Sequence, residues 1–286
     1  TLTVTDALAL SVILPVYNRR DMVMDAVHSV LDQELPPGIE LELIVVDDGS
    51  SDGTRELVAA HAAGESRMRL LALPHCGMPG AVRNRGVEAA RAELIALLDS
   101  DDRWLPLKLQ QQLPLHTAPA AAPVRISHTR ERWMRAGREV SQRRLRHRRR
   151  GDLFPDALRK CIIGPSTVMM ERNLYLERGG FREDLEIAED YEFWLRITLD
   201  QPVAYLDSPL TEKRAGDWDQ LSSRYPQIEG FRIAALRPLV QAGRLQPREH
   251  EARAELARKL RIHAAGARRR GRVEEARGLE REAAQL

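Results

Sequence analysis

The sequence predicts an α/β fold, parallel strands covered by helices on both faces, followed by a C-terminal α-helical appendage. Three observations carry the prediction. Short apolar runs rich in β-branched residues alternate with stretches whose apolar residues recur at helical spacing. Polar clusters follow the apolar runs, as they do where ligands bind outside the carboxyl ends of a sheet. From roughly Tyr225 onward Ala, Arg, Glu and Leu dominate, and the periodicity is helical throughout.

Taken in order, residues 10–16 form the first buried strand. Met22, Val23, Ala26, Val27, Val30 and Leu31 then line one face of a helix, which Pro36-Pro37-Gly38 ends. Residues 41–46 are the second strand, closing on Asp47-Asp48-Gly49-Ser50-Ser51-Asp52-Gly53, with a helix over 54–63. A third strand (68–73), a third helix (80–90) and a fourth strand (94–98) follow, the last ending on Asp99-Ser100-Asp101-Asp102. The clusters Tyr17-Asn18, Asp47-Asp48, His75 and Asp99 to Asp102 are expected to meet on one rim. After Trp104 the pattern is less regular. It reads as a Pro/Ala linker (118–123), a strand over 124–134 with Gly137 at a turn, a strand over 166–170, and helices over 173–178 and 190–198. Closing strands are expected over 203–206 and 210–213, and a helical hairpin over 251–265 and 273–284, joined at Arg270-Gly271-Arg272. A single hairpin is too little for a repeat array.

The 286 residues suffice for one large α/β domain plus a smaller region, and 43% hydrophobic content supplies a core. Lys and Arg total 44 against 42 Asp and Glu, a net +2, which argues against a nucleic-acid partner. Cys76 and Cys161 form neither a metal-ligand pattern nor a disulfide framework and read as reduced thiols. No apolar run approaches the roughly 20 residues that span a bilayer, and residues 1–10 lack the basic stretch and apolar core of a signal peptide. The expectation is a cytoplasmic protein, at most peripheral at the inner face of the membrane.

Asp99-Ser100-Asp101 places two carboxylates one residue apart after a buried strand. In extended backbone they would point the same way, which suits a hard divalent cation that also binds phosphate oxygens. As plain structure, the same acids would cap the following helix. Asp47-Asp48 has more acid than a turn needs and could accept hydrogen bonds from a nucleobase edge or a ribose. Arg83 offers a fixed fork of donors to base or phosphate, or lies on a solvated helix face. Glu189-Asp190 opens a helix, where acids are favoured; as chemistry, it could supply the base that takes an acceptor hydroxyl's proton.

In this order and spacing, Val12-Ile13-Leu14-Pro15-Val16-Tyr17-Asn18, the Asp47–Thr54 stretch, Ala81-Val82-Arg83-Asn84-Arg85-Gly86, Leu97 to Trp104, and Glu189-Asp190-Tyr191-Glu192-Phe193-Trp194 resemble family 2 glycosyltransferases, over roughly 11–222. The resemblance implies the GT-A fold, a Rossmann-like mixed sheet with helices on both faces. The expected division is a GT-A domain over 1–224 and a helical region over 225–286. It implies an inverting transfer from a nucleotide-diphosphate sugar, UDP-sugar favoured, to a glycan or lipid-linked acceptor, with Mn2+ or Mg2+ on the diphosphate. Pro15, Tyr17, Asn18, Asp48, Arg83 and Asp99 would hold the nucleotide, Asp101 the metal, and Asp190 would be the base. Gly164, Pro165, Ser166, Glu189 and Trp194 would lie on the acceptor side.

One departure stands out. Related sequences often carry a histidine where Asp217 stands in Gly216-Asp217-Trp218-Asp219-Gln220-Leu221-Ser222. An acid there can still bind a hard cation, so Asp217 is a second metal candidate. The basic run over 143–150 reads as a solvated loop or as a contact to an anionic membrane surface. Two alternatives accompany the transferase reading: a non-catalytic nucleotide-sugar-binding protein, and a sugar-nucleotide pyrophosphorylase. The latter would want a Gly-rich loop where Pro15-Val16-Tyr17-Asn18-Arg19-Arg20 has no glycine, and the missing G-x-G-x-x-G disfavours a dehydrogenase.

Overall fold

The computed structural model describes residues 8–118, 124–135, 137–142, 147, 149–215 and 228–286. Asp217 and its flanking stretch, the 224/225 division and most of the basic run lie outside the described residues.

The first half alternates as expected: β1 (Leu8–Val16), α1 (Val23–Leu31), β2 (Glu40–Asp48), α2 (Thr54–Ala62), β3 (Met68–Leu73), α3 (Pro79–Ala89) and β4 (Leu94–Leu97). Then come β5 (Asp102–Trp104), α4 (Lys108–Gln112), α5 (Pro114–Thr117), β6 (Ile126–Arg135), β7 (Arg138–Val140), α6 (Phe154–Arg159), β8 (Met169–Glu171), α7 (Arg172–Glu177), α8 (Glu189–Thr198) and β9 (Ala204–Ala215). The chain closes with α9 (Ile228–Gln241), α10 (Glu249–Arg269) and α11 (Val273–Gln285).

The strands make one mixed sheet in the order β3-β2-β1-β4-β8-β6-β9-β5, with β7 added to β6. β3, β2, β1 and β4 run parallel, β8 is antiparallel to both β4 and β6, β6 and β9 are parallel, and β5 is antiparallel to β9. Alternation along β1 sends Leu10, Val12 and Leu14 to one apolar core with α1, and Ile13 to the other. Gly86 of α3 lies so close to the sheet that a Cβ there would come within 2.5 Å of Ile13.

Two sequence expectations change in form. Residues 166–170 do not make a single strand: Pro165–Thr167 is a 3-10 turn and β8 starts at Met169, because Ser166 spends its polar groups on neighbours across the sheet. The two closing strands are one, β9. The C-terminal helices do pack on the α/β core. Ile233, Leu236, Leu256 and Leu260 share a cluster with Tyr191, Trp194 and Ile197 of α8, and the Lys259 ammonium is buried against the Arg159 carbonyl at 2.8 Å. Among the described residues no helix is long and apolar enough to cross a membrane.

Candidate active site

The chain leaves the centre of the sheet at the end of β4 and re-enters it at the far edge as β5. The crossing is the acidic segment. The Asp102 N–H closes onto the Asp99 carbonyl at 3.0 Å, so Asp99 and Asp101 are gathered by a tight turn and not by extended backbone. Ser166 fills the gap the crossing leaves. Its hydroxyl donates to Asp102 Oδ2 at 2.6 Å and accepts from the Asp99 N–H at 3.1 Å. Its carbonyl accepts from Trp104 Nε1 and from Thr211 Oγ1.

Arg83 joins this turn to α8. Its buried guanidinium donates to Asp99 Oδ1 at 2.7 Å and to Glu189 Oε1 at 2.6 Å. Asp99 is two residues from Asp101 and Glu189 adjoins Asp190, so one side chain ties the candidate metal turn to the candidate base. Burial opposes the charge on Arg83, but the two carboxylates outweigh it and raise its pKa. Burial likewise opposes ionisation of Asp99, but Arg83 and Lys213 hold it below the usual carboxylate range. Glu189 is pushed up to about 7, chiefly by burial.

The α8 end is shaped by backbone. Ala188 sits at φ +66°, a left-handed conformation costly for a residue with a Cβ, and it turns the chain into α8, which opens on Glu189 and Asp190. Asp190 is half-buried. Its Oδ1 accepts the Tyr191 N–H at 2.6 Å, and its Oδ2 lies 3.2 Å from Cys161 Sγ. Burial, then Asp190, pushes the Cys161 thiol up, so it is a protonated donor. Trp194 is buried in the core against Phe181 and Phe193 and presents no open face.

On the β1–β2 side, Tyr17 is exposed and stacks on His75 at 4.1 Å. Pro15, next to the last residue of β1, is in register with Val46. Asp48 accepts the N–H groups of Cys76 and Gly77 at 2.8 and 3.0 Å and lies 3.0 Å from His75 Nδ1, so it organises the loop after β3. Asn18, at φ +49°, donates its N–H to Ser50 and accepts from the Ser51 N–H, which locks the first two loops together. The expected convergence on one rim is therefore seen for Tyr17, Asn18, Asp48 and His75, and through Arg83 for Asp99 and Glu189.

Burial and the neighbouring Asp99 raise the pKa of Asp101; burial pushes Asp102 up to about 7. Among the described residues no three His, Cys, Asp or Glu side chains converge as a metal cage. Asp101 is a hard carboxylate, the kind of donor that a divalent cation completing its shell from phosphate and water would take. Sequence reasoning passed over two residues here. Asp102 stood in the acidic run but received no role. Lys213, on β9, lies 3.5 Å from Asp102; burial opposes its charge, but Asp102, Glu131, Asp99 and Asp101 outweigh that and raise its pKa.

The model of glycosyl transferase family 2 matches residues 11–176. The chain is 34% identical over 196 residues to TuaG of Bacillus subtilis, a protein named for teichuronic acid biosynthesis, covering 68% of this chain and 74% of that protein. It is 28% identical over 206 residues to WfgD of Escherichia coli, a UDP-Glc:alpha-D-GlcNAc-diphosphoundecaprenol beta-1,3-glucosyltransferase, covering 71% and 74%. Among solved structures it resembles S. aureus TarS 1-349 in complex with UDP-GlcNAc, with a TM-score of 0.70 at 22% identity over 90% of this chain and 73% of that one. The mixed, curled sheet with its flanking helices is the GT-A fold that the sequence resemblance implied.

Proposed function

Because the chain belongs to glycosyl transferase family 2, we propose that it moves a sugar from a nucleotide-diphosphate sugar to an acceptor hydroxyl, with inversion at the anomeric carbon. The observation that supports this reading is the double clamp of Arg83 on Asp99 and Glu189, which joins the acid turn after β4 to the start of α8. A UDP-sugar is the favoured donor, by analogy with the ligand of the TarS complex, and a glycan or lipid-linked sugar the acceptor, by analogy with WfgD.

In this mechanism Tyr17, Pro15 and Asp48 surround the base of the nucleotide, and Asp99, held by Arg83, faces the ribose. Asp101 is the residue that would hold a divalent cation, and Asp217 a second candidate. Such a cation, when bound, neutralises charge on the leaving diphosphate. Asp190 takes the proton of the acceptor hydroxyl while that oxygen bonds to the anomeric carbon. The bond from the anomeric carbon to the diphosphate oxygen breaks with its electron pair leaving on the nucleotide. The thiol of Cys161 is a weak donor, so it orients Asp190 Oδ2 without strongly stabilising its charged form. Residues 164–166 and Glu189 shape the acceptor side, and Trp194 supports it from the core.

We assign the transfer to residues 1–224 and a bracing role to 225–286. That role is supported by the packing of α9 on α8 and of α10 on α6. The run over 143–150 is proposed as a contact to anionic lipid; equal sedimentation with neutral and anionic liposomes would remove it. The functional reading itself is tested by thermal stabilisation across a panel of nucleotide-sugars with manganese, followed by assay of nucleotide release. A UDP-sugar is expected to raise Tm in proportion to the logarithm of its concentration above Kd. A panel in which no nucleotide-sugar shifts Tm overturns the reading.

A further inference from the structure

The sheet aligns one row of side chains outward from the acidic turn. Asp102 on β5 is in register with Lys213 on β9, Lys213 with Trp133 on β6, and Trp133 with Val140 on β7. The next row inward is Trp104, Thr211 and Glu131. Both rows face the site: Thr211 and Trp104 bond the Ser166 carbonyl, and Lys213 approaches Asp102. The opposite face of the same strands carries Arg103, Arg132 and Glu212, paired with one another. Trp133 therefore stands on the site side of the sheet, two strands from Asp102, or roughly 10 Å at the usual strand spacing.

Trp133 is unusual for its size in being 42% exposed, and its row neighbour Val140 is exposed to the same extent. The ring is nevertheless fixed. Its Nε1–H donates to Glu131 Oε1 at 2.6 Å. The other oxygen, Oε2, is buried with no hydrogen-bond partner among the described residues, and a Cβ at Gly164 would come within 2.7 Å of it. An exposed indole held by its edge, with the Lys213 ammonium next to it in the same row, has the chemistry of a saccharide platform. The apolar C–H face of a pyranose stacks on the ring, and a hydroxyl meets Lys213, while Glu131 holds the indole in place.

We propose that Trp133, anchored by Glu131, is a subsite for a pyranose of the acceptor, placed beyond the sugar whose hydroxyl meets Asp190. This rests on the transferase reading and adds to it the chemical class recognised at this face: a neutral sugar ring at least one unit from the reacting end.

The test uses the full chain and a panel of methyl glycosides of glucose, galactose, mannose and N-acetylglucosamine. The probe signal is the indole N–H resonance of Trp133, identified by its loss in Trp133→Phe. At least one glycoside is expected to shift that resonance saturably. By isothermal titration calorimetry, which needs no indole signal, Trp133→Ala should weaken binding of that glycoside about tenfold, Trp133→Phe should retain most of it, and UDP affinity with manganese should stay that of the wild type. Three results overturn the proposal: no glycoside moving the resonance, Trp133→Ala binding the glycoside as tightly as wild type, or the resonance responding to phosphatidylglycerol vesicles and to no sugar. If UDP binds the wild type while the glycosides do not, the subsite alone falls. If UDP does not bind at all, the transferase reading falls and the subsite with it.

Discussion

The parallel half of the sheet, β3-β2-β1-β4, and the mixed half, β8-β6-β9-β5, bring residues to the same rim by different routes. In the parallel half each polar group comes directly after its own strand: Tyr17 after β1, Asp48 at the end of β2, His75 after β3, Asp99 after β4. In the mixed half the neighbours are distant in sequence: Ser166 meets Asp102, Cys161 meets Asp190, Lys213 lies between Asp102 and Trp133. The first half is assembled by local connection and the second by strand pairing. Arg83 is the joint between them.

The comparison predicts that the joint matters most to stability. Arg83→Met leaves Asp99 and Glu189 buried without their shared cation, a change of about 3–5 kcal/mol measured by urea unfolding. Lys213→Met, at a half-buried position 3.5 Å from its nearest carboxylate, should cost clearly less. Equal losses would break the comparison.

A second prediction separates the halves by pH. His128 of β6 is buried, lies 2.6 Å through Nε2 from the Arg149 carbonyl, and has its pKa lowered by burial to about 4, from 6.5. Between those values the unfolded chain holds a proton that the fold does not. Its contribution is therefore whole above pH 6.5 and is lost as pH falls toward 4, the loss reaching roughly 2 kcal/mol at pH 5. His116, held near 4 by burial as well, adds in the same direction. His128→Gln should flatten the acid limb of the stability curve; an unchanged limb would show that His128 does not set it.

The smallest effect concerns the base. Cys161→Ser puts a stronger donor against Asp190 Oδ2, so the acid limb of kcat/KM should move to lower pH and turnover should change by about fivefold at most. A profile that does not move would make Cys161 a packing residue only.

The same contrast explains what could be read in advance. The alternating strands, the rim and the acid turn were legible because hydrophobic period and strand-end polarity are local signals. The extended geometry assumed for Asp99 and Asp101 was wrong in form, since a chain crossing from β4 to β5 must turn. Asp102 was visible as an acid but not as the partner of Ser166, and Lys213 read only as a strand residue, because nothing local marks the register that aligns β5 with β9. Trp133 and Glu131 were hidden for the same reason. The resemblance puts Trp194 on the acceptor side, yet its ring is buried in the core.

The central claim is that one pocket holds two acid groups with separate duties. Nucleotide affinity and turnover, measured side by side for Asp190→Asn and Asp101→Ala, test it most directly. The account predicts that Asp190→Asn loses transfer by about a thousandfold while binding UDP as the wild type does, and that Asp101→Ala loses manganese-dependent UDP binding. Wild-type turnover in both variants, or equal loss of UDP binding in both, would contradict it.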